Sequence, residues 1–582
     1  MPRSPPWHPR ETLLLAVFAA AFLLIGVGSA AQKSATWDEP LHLTAGHAIL
    51  ASGDYRFDPE HPPLARAWAA LPLWAFGTAP PDSATIDRTP ATSWLGAEQW
   101  AASHRHLYAT PRGEDVDRGL NAGRGMVLLL GVALGVLLHR WARALYGPLP
   151  AAAALALCLV EPNLLAHAAV VSTDLPVTLA FYATAWFLWR TATQPSTPHV
   201  VGLALACAIA NVTKFSALLL LPLVAATLAT AAWRGLLPRR TAVAAVLATL
   251  GTTWAVIWAA YAFRYAPSPT PDWLFSPATL PWQGLAGSRL ERVVAWFDTH
   301  HLLPNAYANG FLLGQAKAVQ RDAYFLGEVS PNGWLGYFPF VLAVKTPAAT
   351  LLLYVAGLVM VLRRLRRSHH ELFVLLPLVA YGAAAISSNL NIGLRHILPL
   401  VPFLLLLAAG AAQVLLDSGE RAARILLGVL LAASGLEVGS VIPDQLAFFN
   451  RMVGGPAAGH LYVVDSNLDW GQDLKGLAAW MRENDVAHIN LAYFGTADPS
   501  AYGIDHTWLP GAPFFAEDTQ KPRLPGFVAI SETVLTGVYW GPAVRQLYAP
   551  LKEQEPVAVI GHSIRVYRVE APWWEEAPTG QP

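Results

Sequence analysis

Charge is scarce in this chain, and cysteine is nearly absent. Only 13% of its 582 residues are charged, whereas 54% are hydrophobic. Soluble proteins carry about 25% charged residues, so this composition excludes a chain built for water alone. The 39 basic and 39 acidic residues cancel, and no basic face marks a nucleic-acid partner. The two cysteines, Cys158 and Cys207, both lie inside apolar runs. They exclude a disulfide framework and argue against a Cys/His zinc cluster. An internal repeat and a long low-complexity tract are also missing. What the chain has instead is proline and tryptophan, 46 and 22 residues. Proline suits loops and broken membrane helices, and tryptophan suits the interfacial belts of a bilayer.

A bilayer crossing takes about 20 apolar residues. Hydropathy predicts eleven spans, at about 12–31, 124–141, 149–166, 175–190, 199–213, 215–233, 241–262, 341–362, 371–387, 396–416 and 423–441. The fifth is short, which makes 199–233 the loosest part of the count. The first span follows Arg3 and Arg10 and reads as an uncleaved signal anchor: it is long for a leader, and many spans come after it. The positive-inside rule then orients the chain. With a cytoplasmic N-terminus, the inside loops hold Arg140 and Arg143, then Arg190, then Arg234, Arg239 and Arg240. Arg363, Arg364, Arg366 and Arg367 follow, and Arg421 and Arg424 complete the set. Every short loop predicted inside carries arginine. The expectation is a multi-pass protein of the inner or plasma membrane with its C-terminus outside.

This division makes residues 1–441 a transmembrane domain with large outer loops at about 32–123 and 263–340. Residues 442–582 form an extracytoplasmic domain. Pro62 to Trp74 is apolar but too short to span, and reads as an interfacial helix. In the last domain, strands are predicted at 461–464, 489–494 and 527–530, a helix at 474–481, and a closing hairpin from 557–560 and 564–569. That alternation predicts a small α/β domain.

The residues that could carry chemistry gather in the outer loops. Asp38 and Glu39 follow the first span directly, where carboxylates face a low-dielectric boundary. One carboxylate could take a proton from a hydroxyl while its neighbour binds a metal or orients the acceptor; the alternative is a helix cap. Asp174 precedes Leu175-Pro176 and is either a second site acid or part of a helix start. Lys214, between two apolar runs, faces a polar cavity or an anion, or else snorkels to an interface. Arg395-His396 lies in an outer loop where topology needs no positive charge, and arginine suits phosphate; an interfacial anchor is the other reading. Arg124 shares that ambiguity, and Lys345 is a weaker case. His61 stands in Glu60-His61-Pro62-Pro63 and is either structural or in touch with substrate. Asp465 to Asp473 (DSNLDWGQD) reads first as a strand-to-helix turn and second as an acceptor or cation site.

Taken in order, these segments resemble the GT-C glycosyltransferases that use lipid-phosphate sugars. The similarity is to the family 39-like group, which includes protein O-mannosyltransferases and lipid A aminoarabinose transferases. It is carried by Trp37-Asp38-Glu39-Pro40, His61-Pro62-Pro63-Leu64, Arg124 with Leu145-Tyr146-Gly147, Thr173-Asp174, Lys214-Phe215, Gly393 to Pro399, and Asp465 to Asp473. The last domain does not read as the β-trefoil of eukaryotic O-mannosyltransferases, so a protein acceptor does not carry over.

The resemblance implies a GT-C-like body of about 11 transmembrane helices. It implies transfer of a sugar from a polyprenyl-phosphate carrier to a hydroxyl on protein, lipid or glycan, with inversion and Asp38 as general base. Asp38, Glu39 and Asp174 become the catalytic acids and the ligands of a divalent cation, Mg or Mn, if one is used. Arg395, His396, Lys214 and Arg124 become donor-phosphate ligands, and His61, His42 and Asp469 substrate contacts. Membrane lipids are the remaining partners. A transporter of a lipid-linked or small polar substrate would also be polytopic, but it favours short loops and paired repeats. A non-catalytic scaffold leaves the gathered acids and cations without a role.

Overall fold

The computed structural model describes residues 9–89, 91–108, 113–270, 273–276, 285–365, 369–513, 519–571 and 573. Arg3, Arg366 and Arg367, used above for orientation, lie outside them. Helices occupy all eleven predicted positions. Among the described residues, six helices are long and apolar enough to cross a membrane, or seven if one bent pair counts as a span. The others are shorter or more polar. Thr197–Asn211 has 15 residues, about 22 Å at 1.5 Å per residue, against a hydrocarbon core of about 30 Å.

Local sequence explains the shape of the body. Pro9–Gln32 lies against Gly113–Tyr146, and Gly131 and Gly135 make the close approach possible. A Cβ at either would sit 2.6 Å from Phe22 or 2.3 Å from Phe18, the small-residue packing that membrane helices use. Gly113–Tyr146 runs 34 residues, about 50 Å, so it overshoots any bilayer. The predicted span at 149–166 is broken into Pro148–Leu159 and Pro162–Ala168, bent by 60°. Pro162 starts the second piece, and the Glu161 side chain caps it by accepting from Leu164 N–H. The break turns the chain so that His167 and Asp174 follow at one end of the body. Lys214 sits in a second break, extended between Thr197–Asn211 and the 3-10 turn Phe215–Leu219.

The interfacial reading of 62–74 corresponds to helix Leu64–Ala75. A short hairpin, β1 (Ala323–Phe325) with β2 (Glu328–Ser330), was not foreseen. In the C-terminal domain the sheet strands are β3 (Ile489–Ala492), β4 (His506–Trp508), β5 (Gly526–Ser531), β6 (Ala558–Ile560) and β7 (Ile564–Val569). Their order is β4-β3-β5-β7-β6. β3 runs parallel to β4 and β5, with Ile489 opposite His506 and Phe527, while β7 is antiparallel to β5 and β6. Leu474–Glu483 turns Leu474, Leu477, Ala478 and Met481 inward. The strand predicted at 461–464 does not form. Pro456–Leu461 is a 3-10 turn, and Tyr462 O accepts from Leu326 N–H at 2.9 Å, so docking against the membrane body overrides β propensity.

Candidate active site

A cavity of about 870 Å³ opens between the helical body and the C-terminal domain, within the usual range for ligand pockets. Asp38, His42, His61, Lys214, Arg395 and His396 all line it. They come from four separate segments, and the fold explains how they are held.

Asp38 is held by the far end of the chain. Trp37 N–H donates to Trp470 O at 2.8 Å and Ser34 N–H to Gln472 O at 2.9 Å. Thr496 Oγ1 donates to Trp37 O at 2.6 Å, and Lys33 pairs with Asp473 at 2.5 Å. The same C-terminal segment places Arg395. Leu394 N–H donates to Asn467 Oδ1 at 3.0 Å, and Ser466 Oγ donates to Ile392 O at 2.7 Å. Gly393 is required there, because a Cβ would lie 2.1 Å from Ser466 Oγ. The Arg395 guanidinium sits over the Trp470 ring at 4.3 Å. Residues 465–473 are thus the clasp that joins two site segments, a larger role than a strand-to-helix turn.

Asp38 and Arg395 form an ion pair at 2.7 Å, and Arg395 lies 4.0 Å from Asp174. Asp174 is buried and pairs with Lys214. The result is a chain of alternating charge, Asp38–Arg395–Asp174–Lys214, whose members Asp38, Arg395 and Lys214 line the cavity. Arg395 Nε and His396 Nε2 have no hydrogen-bond partner among the described residues. The Arg395 Nε–H, a donor left without an acceptor beside the cavity, suits an anionic ligand.

Glu39 and Arg124 do not join this site. The Glu39 side chain is 0% exposed and meets Arg124 through two hydrogen bonds, 2.8 and 2.7 Å. It also accepts from the backbone N–H groups of Thr36 and Val171, each at 2.8 Å. Arg124 spends its other donors on the carbonyls of Ala30, Lys33 and Ser34. Neither residue lines the cavity. The structure thus places Glu39, expected in a catalytic or metal role, and Arg124, expected at the donor phosphate, away from the cavity, as a saturated strut that shapes the loop carrying Asp38. Asp469 also points elsewhere. It is buried, accepts from Thr533 N–H at 2.8 Å, and does not line the cavity. Burial pushes its carboxyl well above the usual range, against the Thr533 hydrogen bonds. Its neighbour Asp465 reaches the cavity instead.

Asp38, Glu39 and Asp174, the acids expected to hold a divalent cation, are each paired with a basic side chain. Among the described residues, His42, Asp58 and His61 are the group whose ligand atoms converge, within 4.8 Å of one another. Sequence reasoning missed Asp58. It accepts from His42 Nδ1 at 3.0 Å and from His61 Nδ1 at 3.2 Å, so it fixes both rings at the cavity wall. Arg66 lies 3.4 Å away, which already neutralises the carboxylate. Although burial would raise Asp58, the charges of His61 and Arg66 and the His42 hydrogen bond hold it well below the usual range. The signal was the spacing Asp58-x-x-His61, but its second partner, His42, lies 16 residues away.

Residues 117–258 match the family model described as dolichyl-phosphate-mannose-protein mannosyltransferase. No match to a curated protein was found. Among solved structures, the chain is similar to the apo oligosaccharyltransferase of Archaeoglobus fulgidus, at 12% identity and a TM-score of 0.50, over 92% of this chain and 72% of that one. It is also similar to ArnT of Cupriavidus metallidurans bound to undecaprenyl phosphate, at 14% identity and a TM-score of 0.44, over 97% and 99% of the two chains. At such identities the likeness is one of fold. The family match lies inside the helical body, and the fold is that of a GT-C-like polytopic membrane protein.

Proposed function

We propose that the enzyme moves a sugar from a polyprenyl-phosphate carrier to an acceptor hydroxyl, by a single displacement with Asp38 as general base. The alternating chain Asp38–Arg395–Asp174–Lys214 at the cavity wall carries this reading. The carrier phosphate docks on Arg395 and Lys214, with His396 beside them. Arg395 is shared between Asp38 and Asp174, so a phosphate that engages it loosens its hold on Asp38. Donor binding then frees the base that the reaction needs.

In the transfer step, Asp38 takes the acceptor O–H proton as that oxygen bonds the anomeric carbon. The anomeric C–O bond breaks on the opposite side, and its electron pair leaves with the polyprenyl phosphate. Negative charge grows on that phosphate, so fixed cations stabilise the transition state more than the ground state. Attack opposite the leaving group inverts the centre. The arginine asymmetry of the loops supports a cytoplasmic N-terminus and a cavity on the extracytoplasmic face.

The test is label transfer by purified protein in lipid. The donors are a panel of polyprenyl-phosphate sugars, the acceptor is membrane extract, and Asp38→Asn is the control. Label should move with wild type and not with the variant, and the product should carry the inverted anomer. A panel left unconsumed by folded wild-type protein would overturn the reading.

A further inference from the structure

The cavity has two unlike halves. The half facing the helical body holds the charge chain. The half facing the C-terminal domain is aromatic. Trp37 stacks on Phe494 at 4.7 Å, and Phe494 on Tyr539 at 5.6 Å, both pairs 23° from parallel. Trp540 stands edge-on to Phe494 at 6.3 Å. This wall lies where the topology directs ligands. Strands β3, β4 and β5 are parallel, and the chain leaving their carboxyl ends supplies Phe494, Ala512 and Tyr539 in turn. Ligands of open α/β sheets bind outside those ends.

Polar groups in this half are few and unsaturated. Asp465 accepts from Ser466 N–H on Oδ1 and from Tyr539 Oη–H on Oδ2. A carboxylate offers about four acceptor sites, so roughly half of them remain. Arg321 lies over the Tyr539 ring at 4.9 Å. Arg321 Nε and Trp540 Nε1 lack hydrogen-bond partners among the described residues. Asp465 also holds a left-handed backbone, φ +56°, at a nearly buried position. A residue with a Cβ rarely adopts that conformation, and such strain gathers at functional sites.

Asp465 faces both Arg395 and Arg321, Arg395 is already paired with Asp38 and Lys317 with Glu60, so this half carries little surplus positive charge for a phosphate. It offers ring surface, acceptor sites and N–H donors together, which is the complement of a neutral polyhydroxylated ring. We infer that the C-terminal domain builds a neutral-sugar subsite here, and that the acceptor hydroxyl is borne by a carbohydrate. The statement about the acceptor rests on the transfer reading above; the binding itself does not. Tyr539 and Asp465 are the specificity-determining residues of this subsite.

The experiment is saturation-transfer NMR on the full chain in lipid nanodiscs, with no donor present. The probes are a set of methyl pyranosides, a serine-containing tripeptide and inorganic phosphate. At least one pyranoside should bind wild type, and neither the tripeptide nor phosphate should compete with it. Tyr539→Leu and Asp465→Asn should each weaken pyranoside binding about fivefold, as expected for one lost hydrogen-bonding group, with undecaprenyl phosphate binding and melting midpoint retained. If both variants misfold, Trp540→Phe keeps an aromatic ring, removes the indole N–H donor and should weaken binding in the same sense. Absence of pyranoside binding, pyranoside binding untouched by the folded variants, or displacement by the tripeptide would overturn the subsite. Failure of wild type to bind undecaprenyl phosphate would overturn the donor reading alone.

Discussion

Asp38 and Glu39 are neighbours in sequence with the same chemistry, and the fold gives them opposite fates. Glu39 is 0% exposed and fully satisfied by Arg124 and two backbone N–H groups. Asp38 is 19% exposed, meets one nitrogen of Arg395, and faces the cavity. One arginine–carboxylate pair is closed and the other open. A closed pair costs dearly to break because the surviving partner is left as a buried charge. An open pair can exchange a partner for a ligand. The contrast teaches that an acidic pair at a membrane edge can divide its work, one residue for architecture and one for chemistry.

The largest expected effect belongs to the open pair. Asp38→Asn should lower label transfer by about 10²–10⁴-fold, the usual worth of a general base, with the melting midpoint unchanged. Wild-type turnover in that variant would remove Asp38 from the mechanism. Glu39→Gln should act the other way. It should cost about 3–5 kcal/mol of stability, seen as a lowered unfolding midpoint, while the folded fraction keeps its affinity for undecaprenyl phosphate. If Glu39→Gln folds normally but is inactive, the distinction between closed and open pairs fails.

Arg395→Lys keeps the charge and loses the planar fork, so affinity for undecaprenyl phosphate should drop about tenfold by titration. Chelator treatment should leave the transfer rate unchanged, because Asp38, Glu39 and Asp174 are each already paired. A loss restored by added metal would point to His42, Asp58 and His61 instead.

The smallest effect is one of pH. Burial raises the folded-state pKa of Asp469, so its contribution to stability is fully present below the ordinary carboxyl value and lost as pH rises through the raised one. Above the ordinary carboxyl range, folding the wild type must bury a carboxylate or take up a proton, a cost that an amide does not carry. Asp469→Asn should therefore melt slightly higher than wild type at about pH 7.5, and the gap should close toward about pH 4. A gap that widens on acidification would contradict the assignment.

The helical body was legible because apolar runs and arginine loops are local signals. Helix breaks at Pro162 and Lys214 were less so, since their depth depends on neighbouring helices. Asp38, Lys214, Arg395 and His396 could be singled out because charge beside apolar runs is conspicuous, and the structure brings all four to one cavity. Glu39 and Arg124 carried the same signal and turned inward together. Sequence spacing says nothing about which way the chain twists between two adjacent acids. Asp58 escaped notice because it lies in a loop and one of its partners, His42, lies 16 residues away in helix Glu39–Ser52. Asp465 and Asp469 share one motif, and spacing alone does not say which of them faces the cavity.

The clasp formed by residues 465–473 also sets a schedule for biosynthesis. Ser34 leaves the ribosome 437 residues before its partner Gly471. At about 5–20 residues per second, the loop that carries Asp38 waits roughly 20–90 s for the segment that fixes it. Nascent and prematurely terminated chains hold the acid without its setting until residues 465–473 have been made and folded onto it.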